Sequence, residues 1–166
     1  ENAAVCAYLQ SMQLNLLRTV VEQLVDDSKT DTVARKMLEE QYAPNLVVGH
    51  CGNGGAPVVF EPHPTYDNLF GRIEYSTDQG ALYTSYRQLR AGALHRANGG
   101  FLILEADKML GEPFVWDALK RALQSRKLKM ESPLGELGRV ATVSLTPQVI
   151  PLGVKLVIIG SRQLYY

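Results

Sequence analysis

The sequence predicts an α/β fold in which parallel central strands follow a helical front piece. Three observations carry this. Two largely apolar runs, Phe101-Leu102-Ile103-Leu104 and Val154-Lys155-Leu156-Val157-Ile158-Ile159-Gly160, have the length and uniformity of strands inside a sheet. Between them lie a helical stretch and a hairpin, long enough to bring the chain back in the same direction. Near the start, Val5, Leu9, Met12, Leu16, Val20 and Leu24 recur at three- and four-residue steps, which is one stripe of a helix.

Composition sets the outer bounds. The 166 residues are enough for one ordinary core, with 46% hydrophobic and 20% charged side chains. Lys plus Arg and Asp plus Glu both total 17, so global charge argues for neither nucleic acid nor an anionic membrane. No apolar run approaches the ~20 residues of a membrane helix. The start, Glu1-Asn2-Ala3-Ala4, has no basic leader and no initiator Met, as expected of a processed chain or an excised piece of a longer one. Cys6 and Cys51 give no disulfide framework, and a reducing, cytoplasmic setting is the default. His50, Cys51 and His63 fit no zinc spacing and read as ordinary loop residues.

Along the chain, residues 26–31 break the first helix. Asp31 then caps a second one reaching about Gln41, with Val33, Met37 and Leu38 facing inward. The two helices form a hairpin-like edge of a bundle. Pro44 ends this region, and residues 45–50 read as a short buried strand. Residues 51–57 form a glycine-rich turn. A phosphate cradle there would need a Lys-Ser/Thr pair opening a helix, but the strand-like Pro57-Val58-Val59-Phe60 follows instead. Residues 69–89, with Phe70, Tyr75, Tyr83 and Tyr86 and with Tyr66 just ahead, read as a loop or hairpin between core elements.

The Gly99-Gly100 turn leads into the run 101–104, which ends in Glu105-Ala106-Asp107: a central strand with acids at its C-terminal end. Pro113 suits the first turn of the next helix, continued by Phe114, Trp116, Leu119 and Leu123 to about Ser125. Residues 127–131 and 140–145 read as paired strands around Ser132-Pro133-Leu134-Gly135. The last run, 154–160, reads as a second buried strand that ends in Ser161-Arg162. There is no internal repeat and no low-complexity tract.

At Asn68-Leu69-Phe70-Gly71-Arg72-Ile73-Glu74-Tyr75, then Arg90-Ala91-Gly92-Ala93-Leu94-His95-Arg96-Ala97-Asn98-Gly99-Gly100, the chain resembles the AAA+ module of bacterial Lon-like ATP-dependent proteases. Residues 113–123 and 150–155 continue the match. The resemblance covers residues 45–166. It implies two parts: residues 1–43 as the end of a helical insertion, and residues 44–166 as a partial, P-loop NTPase-like AAA+ core with a β-hairpin before sensor 1. A broader likeness extends to AAA+ proteins with that hairpin, including bacterial enhancer-binding activators.

The resemblance also implies roles. The acidic strand of such modules ends in two carboxylates, one ordering Mg²⁺ and one activating water. The first slot falls on Glu105, a tentative Mg ligand. The second falls on Ala106, which cannot accept a proton. Asp107 could substitute if the strand end bends. Ser161 falls at sensor 1, with helix capping as its plainer reading. Leu82 and Tyr83, within Gly80-Ala81-Leu82-Tyr83-Thr84, fall where related modules place a channel loop that grips unfolded protein; core packing is the plainer reading. His95 and Arg96 fit a hydrogen-bonded structural role better than a sensing one.

The implied parent is an ATP-dependent serine endopeptidase of Lon type. It would use ATP and Mg, form a homo-oligomeric ring and take unfolded proteins as substrates. Its Ser/Lys dyad would lie in another domain, and this stretch alone would be inactive and bind no ATP. Two rivals stand beside it. Ala106 favours a non-hydrolysing structural or oligomerisation module. An activator fragment is disfavoured, because the Gly-Ala-Phe-Thr-Gly-Ala loop of that family is missing here.

Overall fold

In a computed structural model, the described residues are 3–25, 42–50, 54–78, 81–130, 145 and 147–165. The chain divides into two compact units, Glu1–Pro44 and Asn45–Tyr166.

In the first unit, helix α1 spans Ala3–Val25. Its expected stripe is open to solvent: Val5, Leu9, Leu16 and Val20 are all exposed, and Met12 is half-buried. The second helix expected over 31–41 lies outside the described residues.

The second unit is built on a three-stranded parallel sheet. Strand β1 is Val58–Glu61. Helix α2 (Tyr66–Phe70) follows, then β2 (Arg72–Ile73), a hairpin of β3 (Ser76–Asp78) and β4 (Ala81–Tyr83), and β5 (Leu89–Arg90). Helix α3 (Ala93–Arg96) leads to β6 (Phe101–Glu105), α4 (Ala106–Gly111) and α5 (Val115–Ser125). Then come β7 (Lys127–Leu128), β8 (Ile150–Pro151), β9 (Lys155–Ile159) and α6 (Arg162–Tyr165).

The sheet order is β1-β6-β9. Both pairings are parallel, with Phe101 opposite Val58 and Lys155, and Glu105 opposite Ile159. The two apolar runs thus lie side by side in one direction, as their length and intervening helices require. Strand β2 pairs antiparallel with β5, closing the base of the β3–β4 hairpin.

The core lies on one face of this sheet. Leu102 and Leu104 point into it and meet Leu69, Leu94, Met109, Val115, Leu119 and Leu128, all essentially fully buried. Each buried Leu contributes about 1.5–3 kcal/mol relative to exposure. On α5 the inward side chains are Val115, Ala118, Leu119 and Ala122, a spacing of three and four that makes one helical face.

Three expectations need correction, and a fourth falls largely outside the described residues. Residues 45–50 form no strand and Leu46 is 76% exposed; with no strand beside them among the described residues, a short apolar run gains nothing from extension. The edge strand is Val58–Glu61 instead. Helix α5 begins at Val115, not at Pro113, because Phe114 takes a left-handed backbone (φ 66, ψ −16) that ends the preceding turn; Phe114 and Trp116 are exposed. Lys127 and Leu128 pair with Pro151 and Ile150; of the expected partner strand 140–145, residues 140–144 lie outside the described residues and Leu145 is in no strand. Finally, β9 is not covered on both faces: Val157, Ile158 and Ile159 are exposed.

Candidate functional site

Because β1, β6 and β9 run in one direction, their C-terminal ends share one edge. Open α/β sheets take ligands outside that edge. Glu61 ends β1, Glu105 ends β6, and Ser161 follows β9. The fold therefore brings Glu105 and Ser161 to the same side.

Glu105 is half-buried, and its carboxylate pairs with Lys108 Nζ at 2.9 Å. It keeps an extended backbone while Ala106 opens α4. Ala106 is buried; a Cβ placed on Gly160 would lie 3.0 Å from the Ala106 Cβ, so the ends of β6 and β9 touch here. The second slot is thus occupied by a packing residue. Asp107 is one helical step further round, ~100° from Ala106, and is exposed. The strand gives way to helix α4 at Ala106, so Asp107 lies in the first turn of that helix. Ser161 is exposed, and its carbonyl accepts the Leu164 N–H at 3.1 Å, which closes the turn of α6 through the backbone.

Glu61 was missed by the sequence reading. The signal was present: Val58-Val59-Phe60-Glu61 has the same form as Leu102-Ile103-Leu104-Glu105, an apolar run ending in an acid. Its buried carboxylate accepts from Arg96 at 3.0 Å and from the His63 N–H at 3.2 Å. A polar pocket of about 300 Å³ opens beside it, lined by Glu61, Asp67, Asn68, Arg72, Arg90 and Arg96. Arg72 and Arg90 both bind Glu74, at 2.9 and 2.8 Å. Their guanidinium groups, Arg90 first, hold the Glu74 carboxyl below the usual carboxylate range.

Glu74 also anchors the hairpin. Its carbonyl accepts from the Thr84 hydroxyl at 2.8 Å, and the Gln88 amide bonds the Ser76 hydroxyl. Leu82 and Tyr83 lie on β4, opposite Thr77 and Ser76. Their side chains lie outside what the structure describes.

His95 takes the structural place expected of it. It is buried, Nδ1 accepts the Gly92 N–H at 3.3 Å, and Nε2 has no partner among the described residues. Burial, with a smaller effect from the neighbouring Arg96, pulls its pKa down to about 4. Among the described residues, no group of His, Cys, Asp or Glu is placed to hold a metal ion, and no helix is long and apolar enough to cross a membrane.

A parallel sheet with acids ending two strands, a polar residue after the third and an antiparallel pair just before that third strand is a partial P-loop NTPase-like core of the AAA+ class. The family described as LonB-like, AAA domain, matches residues 54–166, and the chain belongs to it. A search of the curated proteins returned no match. At the level of the family this is an ATPase-type, nucleotide-binding module.

The residues present only partly fit ATP and Mg. Glu105 supplies one carboxylate, already paired with Lys108, and Ala106 supplies none. The sequence contains no Gly-rich Lys-Ser/Thr cradle.

Proposed function

We propose that residues 44–166 are part of the ATPase and unfoldase module of a Lon-like ATP-dependent serine protease. Residues 1–43 would be the end of a helical insertion in the same protein. The module would act in a homo-oligomeric ring in the cytoplasm and couple nucleotide state to the unfolding of protein substrates. Its phosphate cradle and Ser/Lys dyad would come from elsewhere in the parent. Leu82 and Tyr83 would grip the unfolded chain, Glu105 would face Mg, and Ser161 would face the γ-phosphate. The observation that carries this reading is the family match over a core whose sheet edge gathers Glu61, Glu105 and Ser161.

One observation favours a second reading, a non-hydrolysing structural module: Ala106 is buried against Gly160 where a water-activating acid would stand. Assays of the parent protein separate the two. The unfoldase reading expects Mg-dependent ATP turnover that falls at least about tenfold in Glu105→Gln. It also expects Tyr83→Ala to keep turnover while losing degradation of an unfolded protein. The 166-residue chain alone should show no turnover above buffer. A parent that binds ATP without hydrolysing it would establish the second reading, and turnover indifferent to Glu105→Gln would remove Glu105 from the site.

A further inference from the structure

The β3–β4 hairpin is an arm with a narrow foot. Its two strands form a sheet of their own, joined to the core through the two residue pairs of β2 and β5. The chain enters this foot at Gly71 and leaves it at Gly92. Gly71 has a positive φ of 81, and a Cβ on it would stand 2.5 Å from the Arg90 carbonyl oxygen. A Cβ on Gly92 would stand 2.4 Å from the Gly71 nitrogen, so backbone crosses backbone here. Two residue pairs make a marginal ladder, and the direction of the arm depends on what holds them together. Charge works against that ladder. Arg72 lies directly opposite Arg90, and like charges so placed push paired strands apart. Glu74 reverses the sign. One of its carboxylate oxygens accepts from Arg72 Nη2 at 2.9 Å and Nε at 3.3 Å, and the other accepts from Arg90 Nε at 2.8 Å. Its backbone N–H donates to the Gln88 carbonyl at 2.9 Å, and its carbonyl accepts from the Thr84 hydroxyl at 2.8 Å. The residue that neutralises the foot is thus bonded to the residue that follows Tyr83.

We propose that Glu74 is a positioning residue: by clamping Arg72 and Arg90 it aims the arm that carries Leu82 and Tyr83. Without its charge the same two arginines act as a wedge between β2 and β5. The use of this aim rests on the reading of Leu82 and Tyr83 as gripping residues, whereas the clamp itself does not.

Amide hydrogen exchange of the 166-residue chain reads the clamp directly. Glu74→Gln should speed exchange in residues 76–84 about tenfold and leave residues 101–105 unchanged. Salt gives a second readout. Screening weakens an attraction and relieves a repulsion, so raising salt should speed exchange of the arm in the unaltered chain and slow it in Glu74→Gln. Removing the opposing charge as well, in Glu74→Gln/Arg90→Gln, should restore most of the protection, which a residue needed only for packing would not allow. In the parent protein, Glu74→Gln should raise KM for an unfolded substrate at least about fivefold, more than it lowers kcat, and the double variant should bring KM back. Exchange that ignores Glu74→Gln, or a salt effect of the same sign in both proteins, overturns the clamp. A clamp seen by exchange beside an unchanged KM overturns its role in aiming. If Tyr83→Ala is equally silent in the parent, the grip reading falls with it; if Tyr83→Ala alone raises KM, the grip stands and the aim does not.

Discussion

His95 ties the chain's stability to pH. Its folded pKa, about 4, lies below the ordinary 6.5 of an exposed imidazole. Between those values the unfolded chain binds more protons than the folded one, so the stability contribution is complete above about pH 6.5 and is lost as pH falls toward 4. The loss should be about 2–3 kcal/mol, levelling off below pH 4. Urea denaturation at a series of pH values should show this slope, and His95→Gln should flatten it; an unchanged slope would place the titration elsewhere. At this scale the sequence was partly legible. An acid after an apolar run locates Glu105, and the same rule, applied to residues 58–61, would have found Glu61. The partner of Glu61 could not be read, because Arg96 is 35 residues away and only the packing of α3 on β1 brings them together. Nor could the burial of Ala106 be foreseen, since that depends on Gly160 approaching from β9.

The elements are held in register by a few polar fastenings. Asn98, in the turn between α3 and β6, donates to the Pro151 carbonyl at 2.9 Å and accepts the Gly153 N–H at 2.8 Å. One side chain thus ties the start of β6 to the link between β8 and β9. Asn98→Ala should cost about 1–2 kcal/mol, read as a lower urea midpoint. Asn98→Asp keeps the acceptor and should fall between; if it equals Ala, the bond to Gly153 contributes nothing. Strands β6 and β9 were legible because uniform apolar runs bounded by turns have few alternatives. Residues 45–50 were misread for the complementary reason: their composition suits a strand, but a strand exists only where a neighbour offers hydrogen bonds. The start of α5 was misplaced because a left-handed Phe114 overrides the preference of Pro113 for a first helical turn. The pairing of β7 with Ile150–Pro151 was not foreseen, because spacing alone does not reveal a partner more than twenty residues further along.

For the whole molecule, the uniform apolar character of the strands promised cover on both faces, and the structure supplies it on one. Val58, Phe60, Val157 and Ile159 share the opposite face and are 64%, 51%, 41% and 55% exposed. Lys155 shields only Phe101, with its ammonium 5.3 Å from the ring centroid. Strand β9 also ends the sheet, so its outer edge presents unpaired backbone groups among the described residues. Parallel sheets are ordinarily buried on both sides, and a contiguous apolar face of this kind marks a surface that takes a cover. In isolation the chain should therefore bind a hydrophobic dye while still unfolding cooperatively, and should self-associate as its concentration rises. Phe60→Thr with Ile159→Thr should lower both dye binding and association. The core faces the other way and Thr suits a strand, so stability should change by less than about 1 kcal/mol. Sedimentation and dye fluorescence read these outcomes together. A monomer that binds no dye at any concentration would mean that the face is covered in solution. A large loss of stability in the double variant would mean that these side chains are packed rather than exposed.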